Sequence, residues 1–406
     1  MLLEKSLYPE VSGIRDVVLM INLINVIMKT SFKVKKPDTH SSARTGIFST
    51  ARGEIDTPVF MPIGTYGAVK SLSPKDLVTT GTSIILGNTY HLLIRPGLDV
   101  IRNAGGLHKF ISWKRTILTD SGGFQIFSLA QLRNINDNGV IFKSVLDGKE
   151  YSMTPDRSME IQLELGSDII MAFDECPAGD APEKAVRKAV ERTTKWASQC
   201  VKYLGEQEIS NRLRSTFFPI VQGGIYPELR QQSVEELTEF IQTGVAVGGL
   251  AVGEEKPAMF ETLSLMDELL PRDKARYLMG VGKPDDIVKA VARGMDMFDC
   301  VIPTRNARNG QLFTWKGKIN IQNERYKTDN STLDESCPCY CCQTFSRSYL
   351  RHLFKMNEIL GLRMATLHNV TFYQSLMSTV RSEISKGSFK EWSRDFLSNQ
   401  EISSND

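Results

Sequence analysis

Almost no net charge, no membrane-length apolar run and no disulfide-like cysteine spacing mark this 406-residue sequence. Its 49 Lys and Arg offset 47 Asp and Glu, leaving +2, so nucleic-acid affinity could come only from local basic clusters. The apolar stretch Val17–Met28 is too short to span a bilayer, and it lacks the basic n-region and small-residue cleavage site of a secretory signal. Four of the seven cysteines crowd into Cys337–Cys342, where neighbours are poorly placed to cross-link but well placed to grip a metal. Together these absences predict a protein of the reducing cytoplasm with no membrane contact. Tandem repeats and low-complexity tracts are absent too, and 41% hydrophobic with 24% charged residues is the balance of a globular chain.

What is present is a rhythm. From Thr57 onward, short apolar runs alternate with helical stretches: Ser83–Gly87, Thr116–Asp120, Ile169–Asp174, Phe217–Gln222, Val245–Leu250, Tyr277–Gly282 and Met297–Ile302. Such runs suit strands buried on both faces of a parallel sheet. Between them, Thr154-Pro155 opens a helix that Gly166 stops. Asp180 caps another over Ala181–Leu204 that Gly205 terminates, and Lys283-Pro284 opens one ending at Gly294. The number of β-then-α units predicts an α/β fold closed as a (β/α)8 TIM barrel, an open sheet being the alternative.

The chemistry-bearing residues occupy one place in that rhythm. Asp120, Asp174 and Gln222 each close an apolar run and Gly248-Gly249 closes another, so a barrel would gather them at its C-terminal mouth. Any one of them could simply cap a strand; four at equivalent positions point to a site. After about residue 310 the pattern changes to a hairpin over Gly310–Ile321, turning at Lys316-Gly317, then a polar loop, the cysteines and a helical segment. Cys337, Cys339 and Cys342 offer three thiolates; His368 or His352 could complete the set, and Cys341 is the competing thiol. Thiolates and imidazole in a closed tetrahedron select a structural zinc, one per subunit. We therefore expect four regions: an extension over 1–28, disordered or not translated, with Met28 a candidate initiator; a catalytic barrel over 29–310, its closing elements drawn partly from the C-terminal region; a zinc-binding subdomain with closing helices over 311–385; and a tail over 386–406.

Several strings are more specific. Asp120-Ser-Gly-Gly-Phe-Gln125 resembles the signature of the tRNA-guanine transglycosylases, or queuine tRNA-ribosyltransferases. So do Val221-Gln-Gly-Gly224, Gly248–Glu254 (GGLAVGE), Phe298–Arg305 (FDCVIPTR) and Asn306–Gly310. With the metal knuckle and its downstream histidine, the likeness runs in order from about Phe32 to about Tyr373. It implies a pentosyltransferase that exchanges the wobble guanine of GUN-anticodon tRNAs (Asp, Asn, His, Tyr) for a 7-deazaguanine in queuosine biosynthesis.

By position, the resemblance makes Asp299 the nucleophile that attacks ribose C1′ and Asp120 the general acid/base. A carboxylate nucleophile splits one hard substitution into two easier ones, as in retaining glycosidases. The implied base pocket uses Ser121, Gly122 and Gly123 beside Asp120, with Asp174 for the guanine N1–H and amine. Gln222 and the Gly249 N–H would serve O6, and Phe124 and Met279 would stack on the ring faces. The Leu250 carbonyl would meet the C7 substituent, with Glu254 orienting that peptide. Phe124 stands where other members carry Tyr. Cys176 and Val252 resemble the bacterial type, whose free base is 7-aminomethyl-7-deazaguanine; queuine is the alternative.

Contacts to tRNA are implied for Gly280, Val281, Gly282, Lys283, Pro284, Asp285 and Asp286, and for Thr304, Arg305, Asn306, Ala307 and Arg308. Lys316, Lys318, Arg325, Lys327, Arg347, Arg351 and Lys355 add a basic region near the cysteines. The target guanine must be flipped from its stack. The resemblance further implies a homodimer, with Phe345, Tyr349 and His352 at the interface. Two rivals remain: a non-catalytic tRNA-binding paralogue, which should lack a catalytic carboxylate, and a zinc-knuckle RNA-binding protein, which leaves the DSGGFQ and FDCVIPTR strings unexplained.

Overall fold

Eight short strands, buried at every residue, pair in parallel around a ring. In the computed structural model, which describes residues 30–129, 133–145, 147–208 and 215–402, they are β1 (Val59–Met61 and Ile63–Gly64), β2 (Ile84–Gly87), β3 (Thr116–Thr119), β4 (Ile169–Met171), β5 (Thr216–Phe218 and Ile220–Val221), β6 (Gly244–Val247), β7 (Ala275–Leu278) and β8 (Met297–Asp299). The expectation for residues 1–28 lies outside the described residues.

Pro62 and Pro219 interrupt β1 and β5, since proline offers no N–H to the ladder. Their carbonyls still accept from Leu86 and Ala246, so the ring bends at these points without opening. Ile63 pairs with Leu86 of β2, while Val59 and Met61 pair with Met297 and Asp299 of β8. That last pairing closes the predicted (β/α)8 barrel.

The helix Pro155–Leu165 has the predicted ends: the Thr154 side chain accepts from the Arg157 N–H, and Gly166 sits at φ 72. The helix expected over Ala181–Leu204 runs instead over Glu183–Glu208. Gly205 does not stop it, because Trp196, Val201 and Leu204 are buried along that face and outweigh a glycine penalty of about 1 kcal/mol. The hairpin joins Gln311–Thr314 to Gly317–Asn320 and turns at Trp315-Lys316, one residue earlier than expected.

An antiparallel sheet (Ser31–Pro37, Arg44–Thr50, Gly53–Thr57) lies at the N-terminal end of the barrel. Phe48 meets Phe218 of β5 edge-on at 5.8 Å, and Arg44 reaches Asp296, just before β8. The long helix Ile359–Lys386 packs on β1: Gln374 donates to the Phe60 carbonyl at 3.1 Å and Arg381 to that of Pro58 at 2.7 Å. The stretch read as a tail contains a helix, Phe389–Ile402. Trp392 and Phe396 stack there, with Phe396 edge-on to Trp315 of the hairpin turn.

Candidate active site

Asp120, Asp174, Gln222, Gly248-Gly249, Met279 and Asp299 end or follow β3, β4, β5, β6, β7 and β8 in turn, so the barrel brings them to one mouth. Asp120 is buried. Its Oδ1 accepts the Thr89 N–H at 2.8 Å, and its Oδ2 accepts from Asn88 at 2.5 Å and Gln125 at 2.9 Å. Burial pushes its carboxyl up to about 6; those donors oppose the rise and the nearby Asp299 charge adds to it. Asp174 accepts from Ser121 Oγ at 3.0 Å and Gln222 Nε2 at 2.8 Å, and burial likewise carries it up to about 6. Asp299 Oδ1 accepts from the Tyr277 hydroxyl at 2.6 Å and the Gly280 N–H at 2.9 Å. Burial raises this carboxyl too, and the two donors restrain it. Among the described residues no Lys or Arg pairs with any of the three; their hydrogen-bond partners are neutral donors, and the charge of Asp299 on Asp120 and of Asp120 on Asp174 is repulsive.

The glycines of the motifs make room for these side chains. A Cβ on Gly249 (φ +65) would lie 2.3 Å from Gln222 Oε1, and one on Gly123 would lie 2.7 Å from the Asp174 carbonyl. Phe124 is half exposed at the mouth and Met279 half buried. Glu254 accepts the Ala251 N–H at 2.5 Å and the Val252 N–H at 3.0 Å. Because a trans peptide points its C=O opposite its N–H, the Leu250 carbonyl is directed away from Glu254.

The two stretches expected to touch RNA flank Asp299. Gly280 supplies the N–H already described, and the Gly282 carbonyl accepts the Tyr373 hydroxyl of the long helix. A Cβ on Gly282 would collide with Cys300 at 2.1 Å. Lys283 is exposed, Pro284 opens the next helix, and Asp285 and Asp286 are held by Lys256 at 3.3 and 2.6 Å. Val281, Thr304 and Ala307 are buried, whereas Arg305 is exposed and Asn306 and Arg308 are half buried.

Asn88, Thr89 and Tyr277 escaped the sequence reading. Asn88 directly follows the run Ser83–Gly87, so the rule that located Asp120 could have found it. Tyr277 sits inside an apolar run, where nothing local separates it from core.

Cys337, Cys339, Cys342 and His368 are buried, with donor atoms all within 4.8 Å of one another. Cys339 Sγ accepts the Cys342 N–H at 3.4 Å, the turn that brings these two thiols to one side. His368 Nε2 donates to the Phe313 carbonyl at 2.7 Å, which leaves the Nδ1 lone pair facing Cys342 Sγ at 3.2 Å and Cys339 Sγ at 3.7 Å. The set can therefore hold a metal ion. Cys341 is outside it, and His352 stacks with Tyr349 on an exposed edge.

A family model described as queuine tRNA-ribosyltransferase matches residues 38–402. The chain belongs to the queuine tRNA-ribosyltransferase family. A queuine tRNA-ribosyltransferase of Desulforamulus reducens is 46% identical over 370 residues, covering 91% of this chain and 98% of that one. One from Fusobacterium nucleatum is 48% identical over 376 residues (92% and 100%), and one from Francisella tularensis subsp. novicida 50% over 357 (88% and 96%). As a member of that family the protein is a pentosyltransferase, and the match takes in the barrel mouth and the metal-binding set alike. Among the described residues no helix is long and apolar enough to cross a membrane.

Proposed function

We propose that this protein exchanges the wobble guanine of GUN-anticodon tRNAs for 7-aminomethyl-7-deazaguanine, by double displacement at Asp299. The observation that carries the reading is the convergence of three buried carboxylates, with neutral donors only, at one barrel mouth. Tyr277 and Gly280 hold Oδ1 of Asp299, which leaves Oδ2 to attack C1′. As the C1′–Oδ2 bond forms, the C1′–N9 bond breaks and its electron pair stays on N9. Asp120, with a carboxyl near 6, gives that nitrogen its proton. The incoming base returns its N9 proton to Asp120, attacks C1′ and displaces the Asp299 carboxylate.

Recognition follows from the same geometry. Ionised Asp174 accepts from the purine N1–H and amine, the second N–H of the Gln222 amide and the Gly249 N–H serve O6, and Phe124 and Met279 cover the ring. The Leu250 carbonyl, turned from Glu254, accepts from an ammonium on C7; the preference for the aminomethyl base over queuine rests on the likeness of Cys176 and Val252 to the bacterial type. Lys283, Arg305 and Arg308 contact RNA phosphates. Cys337, Cys339, Cys342 and His368 hold one zinc per subunit; three thiolates and an imidazole are its preferred donors and leave no open position for catalysis. Half-buried Phe345 and exposed Tyr349 and His352 form an aromatic row, with rings 5.3 and 6.5 Å apart, that pairs two subunits in the cytoplasm.

Labelled guanine incubated with GUN-anticodon tRNA should enter the tRNA with the native protein and not with Asp299→Asn. Entry with both would overturn the nucleophile, and entry with neither, from folded zinc-loaded protein, would favour a binding role without chemistry. Preferential turnover of queuine over the aminomethyl base would overturn the choice of free base.

A further inference from the structure

Arg230 is a fully buried cation behind the mouth, and it forms no ion pair among the described residues. It lies on the helix Pro227–Leu237 that follows β5. Its Nε donates to the Gly224 carbonyl at 2.8 Å, Nη1 to that of Val221 at 3.0 Å and Nη2 to that of Gly249 at 3.4 Å. Val221 and Gly224 bracket Gln222, whereas Gly249 belongs to the loop after β6. One planar guanidinium thus spans the two loops that carry Gln222 and Gly249. Gly223 makes way for it, since a Cβ there would lie 2.8 Å from Arg230 N and 3.0 Å from Cδ. From the same helix, Ser233 Oγ accepts the Gln222 N–H at 3.1 Å.

Stability alone does not account for this residue. A buried charge with no ion pair is costly, and the attraction of Glu254 offsets that cost only in part. Burial pushes the guanidinium down to about 10, which still leaves it charged at neutral pH. What only a guanidinium provides here is a rigid fork with donors in three directions.

We propose that Arg230 is a positioning residue, clamping the loops after β5 and β6 at the spacing at which the Gln222 amide and the Gly249 N–H read the oxo group of the purine. The inference rests on the base pocket proposed above and adds the element that sets its oxygen-reading edge. Arg230 does not touch the base; it acts through the peptides it holds.

The test compares guanine with 6-thioguanine as competitors for label exchange. Both bases present the N1–H and 2-amino group to Asp174, but only guanine presents an oxygen to Gln222 and Gly249. In Arg230→Gln we expect guanine to bind about tenfold more weakly, the loss of roughly one well-placed hydrogen bond, with 6-thioguanine little changed. The native preference for guanine should therefore collapse. Arg230→Lys keeps the buried charge and cannot reach three carbonyls, so it should lose the preference as well, and it serves if the neutral variant does not fold. Equal weakening of both bases, or no change in either, in a variant that still exchanges label would overturn the clamp while leaving the pocket intact. Failure of the native protein to exchange guanine at all would overturn the pocket and the clamp together.

Discussion

Asp296 and Asp299 stand at opposite ends of β8, both buried, and they are held in opposite ways. Asp296 receives a two-pronged Arg44, with Nε at 3.0 Å and Nη2 at 2.6 Å, plus the Arg276 N–H at 2.8 Å. Beside it, Arg276 meets Asp267 at 2.5 Å, so each acid at this end has its own cation. At the mouth, Asp299, Asp120 and Asp174 have hydroxyls, amides and N–H groups in place of cations. The contrast teaches what each end is for. A compensated buried charge locks geometry, while an uncompensated one raises the free energy of the empty site and leaves the field for a substrate to satisfy.

Four substitutions and one pH profile test that contrast. The largest expected effect is from Asp299→Asn: base exchange should fall by about 10⁴-fold or more, while the melting temperature stays level or rises. A matching loss of stability would show that the mouth acid is structural after all. Next, Asp296→Asn should cost about 3–5 kcal/mol in urea unfolding, because Arg44 is left buried without its anion, yet exchange per folded molecule should stay near native. Asp174→Asn should raise the KM for guanine about 100-fold through loss of two charge-assisted hydrogen bonds, with melting little altered. In the native protein the same KM should climb as pH falls below about 6, where Asp174 takes up a proton.

The smallest effect is one of stability. A carboxyl raised from 3.8 to about 6 is protonated in both folded and unfolded states at low pH, so its burial costs nothing there. Folding stability is lost as pH rises through that window and stays lower above it. Asp120→Asn should therefore be more stable than native protein at pH 8, by about 2 kcal/mol, and the gap should narrow toward pH 5. A gap independent of pH would mean that the Asp120 charge is not what burdens the mouth.

Much of the barrel was legible because strands buried on both faces leave continuous apolar runs, and those runs end where the chemistry begins. Asp120, Asp174 and Gln222 were found by that rule, and the DSGGFQ and FDCVIPTR strings tied them to Asp299. Gly205 misled because helix ends depend on what the helix packs against, and here Leu204 and Trp196 hold it to the barrel. Within the stretch expected as a tail, Phe389, Trp392 and Phe396 recur at helical spacing, and the helix Phe389–Ile402 forms there. The choice between His368 and His352 could not be made along the chain, because the deciding group is the Phe313 carbonyl, 55 residues away.

By itself the sequence determined the order of strands and helices, the ends of the runs and the kinds of donor in the metal set, since these follow from local periodicity and from the chemistry of each side chain. Only the tertiary structure decided which acids are compensated. Asp296 and Asp299 are the same residue type, three positions apart and both buried, and Arg44 lies 252 residues from the one it neutralises. Charge state depends on desolvation and on partners brought from elsewhere in the chain, and both exist only once the barrel has closed.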